Sequence, residues 1–202
     1  MIRCFAVLVL ATMLFGCQEN KNNFIYNPQS LPNEYRIDLV RIPQNDNYSC
    51  ATTSLATIIN FYENPQKPID KYDIWELSET KIKDVRTRGN DVEGLERIAE
   101  HYNYAYSFME RLSFDDLRYL ITQNIPVILF IKLNARYTHA LVVNGYNKEL
   151  HLFYVIDPST TQTMLSESFL ENHWEAWLSK PRKKSKRAGF FIHRTQLHLS
   201  VR

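Results

Sequence analysis

The chain has 202 residues, of which 45% are hydrophobic and 23% charged, with twelve Tyr, eleven Phe and only five Gly. This composition fits one globular domain with a single sizeable core, and it excludes collagen-like, low-complexity and small disulfide-stapled architectures. The formal charge of +2 hides an uneven distribution: six of the 24 basic residues fall in residues 180–187 (KPRKKSKR) and Arg3 lies in a leader, which leaves 17 basic against 22 acidic residues. A body charge of about −5 excludes a generally basic nucleic-acid binder.

Residues 1–17 read MIRCFAVLVLATMLFGC. Arg3 gives a short positive start, and Phe5 to Phe15 is apolar except for Thr12, too short a run for a permanent membrane span and of the length of a secretory signal. The run ends in Leu14-Phe15-Gly16-Cys17, which resembles the lipobox of bacterial lipoproteins, with Phe15 bulkier than usual. The resemblance implies cleavage before Cys17, acylation of Cys17, and attachment to the cell envelope through its lipid. Gln18 after that cysteine resembles the outer-membrane sorting pattern of a two-membrane bacterium. An ordinary signal peptide with an unmodified Cys17 is the alternative. Cys4 leaves with the leader, so Cys50 is expected to be the one free thiol of the mature chain, either a small buried hydrophobe or a nucleophile.

The expected organisation is a signal peptide over 1–16, a lipidated cysteine and tether over 17–35, and one domain over 36–202. Residues 18–35 are rich in Asn, Gln and Pro with little periodicity, which suits a tether. A helix is expected to open at Ser49-Cys50, with Leu55, Ile58, Ile59 and Tyr62 at helical spacing, and to stop at Asn64-Pro65. Amphipathic helices are expected over about 70–82, 91–102 and 113–124, the last with Ser113 and Asp116 at capping-box spacing. Residues 126–133, 138–146 and 150–157 are β-rich runs. Another helix is expected over 167–178, carrying Trp174 and Trp177 as packing residues, then a solvated basic loop over 180–187, then short strands over 189–193 and 196–201. Helices first and an antiparallel sheet second make this an α+β fold.

A thiol becomes a strong nucleophile when a helix N-terminus and a neighbouring imidazolium stabilise its thiolate. Cys50 has the first, and His139, at the start of a strand, is the best placed of six histidines to supply the second. An imidazole needs an orienting acceptor. Asp157 ends the next strand, and antiparallel pairing across the short turn at 147–149 places it beside His139. An oxyanion needs a donor besides backbone N–H groups, and Gln44 lies six residues before Cys50.

The series Gln44-Asn45-Asp46-Asn47-Tyr48-Ser49-Cys50-Ala51, then His139 to Tyr146 (HALVVNGY), then Asp157-Pro158 resembles papain-like cysteine peptidases, and within them the bacteriocin-processing family that cleaves leader peptides after a double glycine. Residues 89–95 (GNDVEGL) and 123–130 (QNIPVILF) extend the resemblance over roughly 36–160. It implies a papain-like fold with the nucleophile at a helix start packed on the sheet. It also implies Cys50 as nucleophile, His139 as general base, Asp157 as orienting acid and Gln44 as oxyanion donor, acting on a peptide or protein without a cofactor. Members that export bacteriocins are usually fused to an ATP-driven transporter. This sequence carries no transporter and an outward-directing leader, so its substrate stays open.

Other readings of the same residues are a binding or assembly lipoprotein on this fold with a vestigial site, acyl transfer to an amine, or cell-wall peptide hydrolysis of the NlpC type. Gln44 and the Asp157-Pro158 ending argue against the last. His193 and His198 have no companion Cys or carboxylate, so no metal site is expected. The basic run over 180–187 has a second reading as a contact with anionic lipid headgroups.

Overall fold

The structure, a computed structural model, describes residues 24–88, 90–134 and 137–194. Its centre is the helix α1 (Cys50–Glu63), whose first ten residues are all buried. A helix enclosed on every side needs small or apolar residues all round, and CATTSLATII supplies them. The helix ends where Asn64 takes the left-handed conformation (φ 43°), which Asn tolerates better than most residues.

The helices α2 (Lys71–Leu77), α3 (Ile82–Arg88) and α4 (Val92–His101) follow. The single helix expected over 70–82 is therefore two shorter ones. Glu79, at positive φ (51°), breaks the register between them. Asp91 caps α4 by accepting the Gly94 N–H at 3.0 Å and the Thr80 hydroxyl at 2.8 Å. The helix α5 (Phe114–Thr122) starts with the capping box expected from the sequence: the Ser113 hydroxyl accepts the Asp116 N–H, and the Asp116 carboxylate accepts the Ser113 N–H.

The strands are β1 (Glu34–Arg36), β2 (Asn90–Asp91), β3 (Ala105–Met109), β4 (Val127–Lys132), β5 (Thr138–Asn147), β6 (Leu152–Ile156), β7 (Met164–Ser166), β8 (Glu175–Lys180), β9 (Lys183–Lys186) and β10 (Gly189–His193), with α6 (Glu167–His173) before β8. The main antiparallel sheet runs β3-β10-β4-β5-β6-β7. β4 occupies one edge of β5 along 138–143, and β1 continues that edge along 145–147. The register shifts at Val143/Gly145, where a bulge re-aims the far half of β5. Gly145 is required there, since a Cβ would lie 2.7 Å from the Tyr35 carbonyl oxygen and 3.0 Å from the Arg36 Cα. A smaller sheet, β2-β8-β9, pairs β2 with β8 in parallel and β8 with β9 in antiparallel fashion.

Three further sequence expectations are corrected. The tether expected up to Tyr35 is folded from Phe24 onward: Phe24 is fully buried against Tyr119 and Phe191, and β1 is part of the sheet. The helix expected over 167–178 ends at His173, and the strand β8 takes over. Trp174 is buried, with its indole N–H on the Ala188 carbonyl, but Trp177 is 54% exposed on β8 rather than packed in a helix. The basic run is the hairpin strand β9, with Ser185 buried and its hydroxyl on Glu110 at 2.6 Å. The strand β3 carries no sequence signal, because all five of its residues are half-buried and show no alternation. The leader, Cys17, Gly89, His198 and the strand expected over 196–201 lie outside the described residues.

Candidate active site

Cys50 is the first residue of α1, at the helix end whose N–H groups and dipole favour negative charge. Ser49 precedes it as N-cap without a side-chain cap bond. Asp46 fixes the two residues before the helix: one carboxylate oxygen accepts the N–H groups of Tyr48 and Ser49 at 2.9 and 2.8 Å, and the other accepts the Ser49 hydroxyl at 2.7 Å. Burial alone would raise the Asp46 pKa, but these bonds and the nearby Lys71 ammonium hold it below the usual carboxylate range. Lys71 Nζ lies 3.8 Å from Asp46 and is itself buried.

His139 and Asp157 face each other across the β5–β6 pair, with His139 Nε2 2.9 Å from Asp157 Oδ1. Both side chains are over nine-tenths buried. With Nε2 on Asp157, Nδ1 is the ring nitrogen left for the thiol, and the Cys50 Sγ donates to Asn90 Oδ1 at 3.4 Å. Burial works against protonation of this imidazole. The hydrogen bonds and charges of Asp157 and Cys50 outweigh it and push the His139 pKa from 6.5 to about 10. Burial would likewise raise the Asp157 pKa, yet the His139 bond and charge, the Ser159 N–H and the Thr160 side chain hold it below its ordinary value.

Gln44 is fixed at both ends of its amide. Its Nε2 donates to the Asp46 carbonyl at 2.7 Å, and its Oε1 accepts the Ser159 hydroxyl at 2.9 Å. Its backbone N–H donates to the Pro158 carbonyl at 2.7 Å. Gln44 therefore joins the loop before Cys50 to the turn after Asp157. The same Nε2 also reaches Asp46 Oδ1 at 3.4 Å, so an incoming acceptor would compete only with this longer bond.

Two residues without an assigned role in the sequence belong to this neighbourhood. Asn90 Oδ1 accepts from Cys50 Sγ at 3.4 Å, and Asn90 Nδ2 donates to the Thr138 hydroxyl at 3.4 Å. The pairing of β2 with β8 holds Asn90 there opposite Leu178, and nothing in residues 89–95 foretells so distant a strand partner. Arg41 donates from Nε to the Asp157 carbonyl at 2.7 Å and from Nη2 to the Pro158 carbonyl at 2.8 Å. The signal for Arg41 lies in a segment without periodicity and was invisible without the fold. Among the described residues no cluster of His, Cys, Asp and Glu could hold a metal ion.

A buried helix with a thiol at its start, packed on an antiparallel sheet that carries His139 and Asp157, defines the papain-like cysteine peptidase fold. The Peptidase_C39 like family matches residues 36–180, and the chain belongs to that family. Similar solved structures are a Bacillus anthracis protein assigned as a C39-like peptidase (13% identity, TM-score 0.60, 82% of this chain and 100% of that one) and the peptidase domain of Streptococcus ComA, a bifunctional ABC transporter of a quorum-sensing pathway (18%, 0.51, 80% and 99%). A third is a double-glycine-motif protease from an AMS/PCAT transporter, solved with its leader peptide (15%, 0.55, 80% and 95%). No curated protein sequence matches the chain.

Proposed function

We propose that the protein is a cysteine peptidase in which Cys50, His139 and Asp157 act together and Gln44 donates to the oxyanion. The observation that carries this reading is the buried His139–Asp157 pair, joined at 2.9 Å through Nε2 so that the other ring nitrogen is left for the thiol at the start of α1. The Cys50 thiolate attacks a peptide carbonyl carbon, and the negative charge moves to the carbonyl oxygen, where Gln44 Nε2, giving up its longer bond to Asp46 Oδ1, and the α1 backbone stabilise it. As the C–N bond breaks, the His139 imidazolium gives its proton to the departing amine. Water then attacks the acyl-enzyme thioester, His139 takes its proton, and the carboxylic acid and free thiolate are released.

The kinship with a double-glycine protease solved in complex with a leader peptide makes peptides that place Gly-Gly before the cleaved bond the first substrates to try. Export and acylation of Cys17 belong to the same proposal, supported by the leader and the Leu14-Phe15-Gly16-Cys17 motif. Among the described residues no helix is long and apolar enough to cross a membrane. Incubation of the protein and its Cys50→Ala variant with Gly-Gly leader peptides, followed by mass spectrometry, tests the activity. Product from the wild type alone is expected, and equal product from Cys50→Ala would remove the mechanism.

A further inference from the structure

The hydrogen-bonded path from Cys50 through Asn90 to Thr138 arrives at a cavity of about 140 Å³. Lys132, Thr138, Glu175, Trp177 and Lys184 are among its lining residues. Two hairpins build it: Lys132 and Thr138 are cross-strand partners on β4 and β5, and Trp177 and Lys184 are partners on β8 and β9. Directly opposed residues share a sheet face, so each pair presents its side chains together.

The charge in this cavity is unequal. Glu175 spends one oxygen on Lys132 at 3.3 Å and the other on Lys184 at 3.0 Å. Each ammonium has three donors and gives one to Glu175, and the two lysine side chains are 43% and 45% exposed. The cavity thus has one net positive charge and free donors beside the half-exposed face of Trp177. A basic side chain entering it would meet two ammonium groups. An apolar one would strip water from three ionic groups with nothing in return. A carboxylate would receive charge-assisted bonds from both lysines and lay its methylenes on the indole.

We propose that this cavity is a substrate subsite for an Asp or Glu side chain close to the cleaved bond, with Lys132 and Lys184 as the residues that set that preference. The inference rests on the peptidase reading and deepens it.

The test is digestion of an equimolar library of synthetic peptides, varied at the positions on either side of the cleaved bond, by the full-length protein and its Lys184→Gln and Lys184→Glu variants. The wild type is expected to prefer Asp over Asn, and Glu over Gln, at one position by about tenfold in kcat/KM, the value of one charge-assisted bond. The preference is expected to shrink in 0.5 M salt, to approach one in Lys184→Gln, and to turn toward Lys or Arg in Lys184→Glu. Cleavage with no acid-over-amide preference at any position would overturn this inference and leave the peptidase reading standing. Cleavage of no library member would overturn both.

Discussion

Asp46 and Ser49 are joined twice, by a backbone N–H at 2.8 Å and a hydroxyl at 2.7 Å, both donated by Ser49 to the Asp46 carboxylate. These bonds fix the residue immediately before the nucleophile. Asp46→Ala is expected to leave the buried Ser49 N–H unpaired, cost about 2 kcal/mol of stability and lower peptide cleavage at least about tenfold. Asp46→Asn, which keeps an acceptor, should recover most of the stability. Chemical denaturation alongside cleavage kinetics reads both, and full activity in Asp46→Ala would refute the positioning role.

Graded losses are expected across the four proposed catalytic residues. Cys50→Ala and His139→Ala should abolish cleavage with the fold intact by circular dichroism. Asp157→Asn should leave a residue of about 10⁻² to 10⁻⁴ of the wild-type rate, because the imidazole loses its orienting charge. Gln44→Ala should lower kcat by about 10²-fold, the usual effect of removing one oxyanion donor. Single-turnover measurements separate these, and a Gln44→Ala enzyme with unchanged kcat would strike it from the oxyanion site.

The pH dependence of stability follows from the same pair. His139 has a folded-state pKa of about 10 against 6.5 in the ordinary state, so its contribution is complete below pH 6.5 and is lost as the pH climbs toward 10. Asp157, held below its ordinary 3.8, contributes above that value and loses its contribution as the pH falls through the lower folded-state value. Thermal melts of the wild type and His139→Ala should therefore differ most at pH 5–6 and converge toward pH 10. A constant gap across that range would contradict the assignment.

Gly145→Ala is expected to weaken the junction of β1 with β5. The new methyl would press on the Tyr35 carbonyl and the Arg36 backbone, neither of which is the free end of a side chain. Overpacking of this kind costs about 1–3 kcal/mol. Hydrogen exchange should show the loss concentrated at Ile37, whose N–H bonds the Asn144 carbonyl at 2.7 Å.

The parts of the molecule legible in the sequence are those governed by local chemistry. The α5 capping box, the end of α1 at Asn64 and the three strands over 127–156 follow from residue type and spacing. The approach of His139 to Asp157 follows from antiparallel pairing with a short connection. The illegible parts depend on distant partners. In residues 175–178 the spacing of Trp174 and Trp177 continues a helical pattern, and what makes them strand is pairing with β9 and with Asn90. Lysines of the basic run looked solvated because their partners, Glu110 and Glu175, come from elsewhere in the chain. Asn90 and Arg41 carry no local signal for the same reason: each is defined by what it touches across the fold.

The burial of Phe24 has a consequence for reach. If Cys17 is acylated as proposed, only the six residues 18–23 separate the lipid from the folded body. Six residues span about 20 Å even at full extension. Such an enzyme would be confined to a thin layer at the bilayer surface, and it would sample few orientations there. Its encounters would then be decided by which peptides emerge from or lie along that membrane, so proximity would select substrates before the active site did.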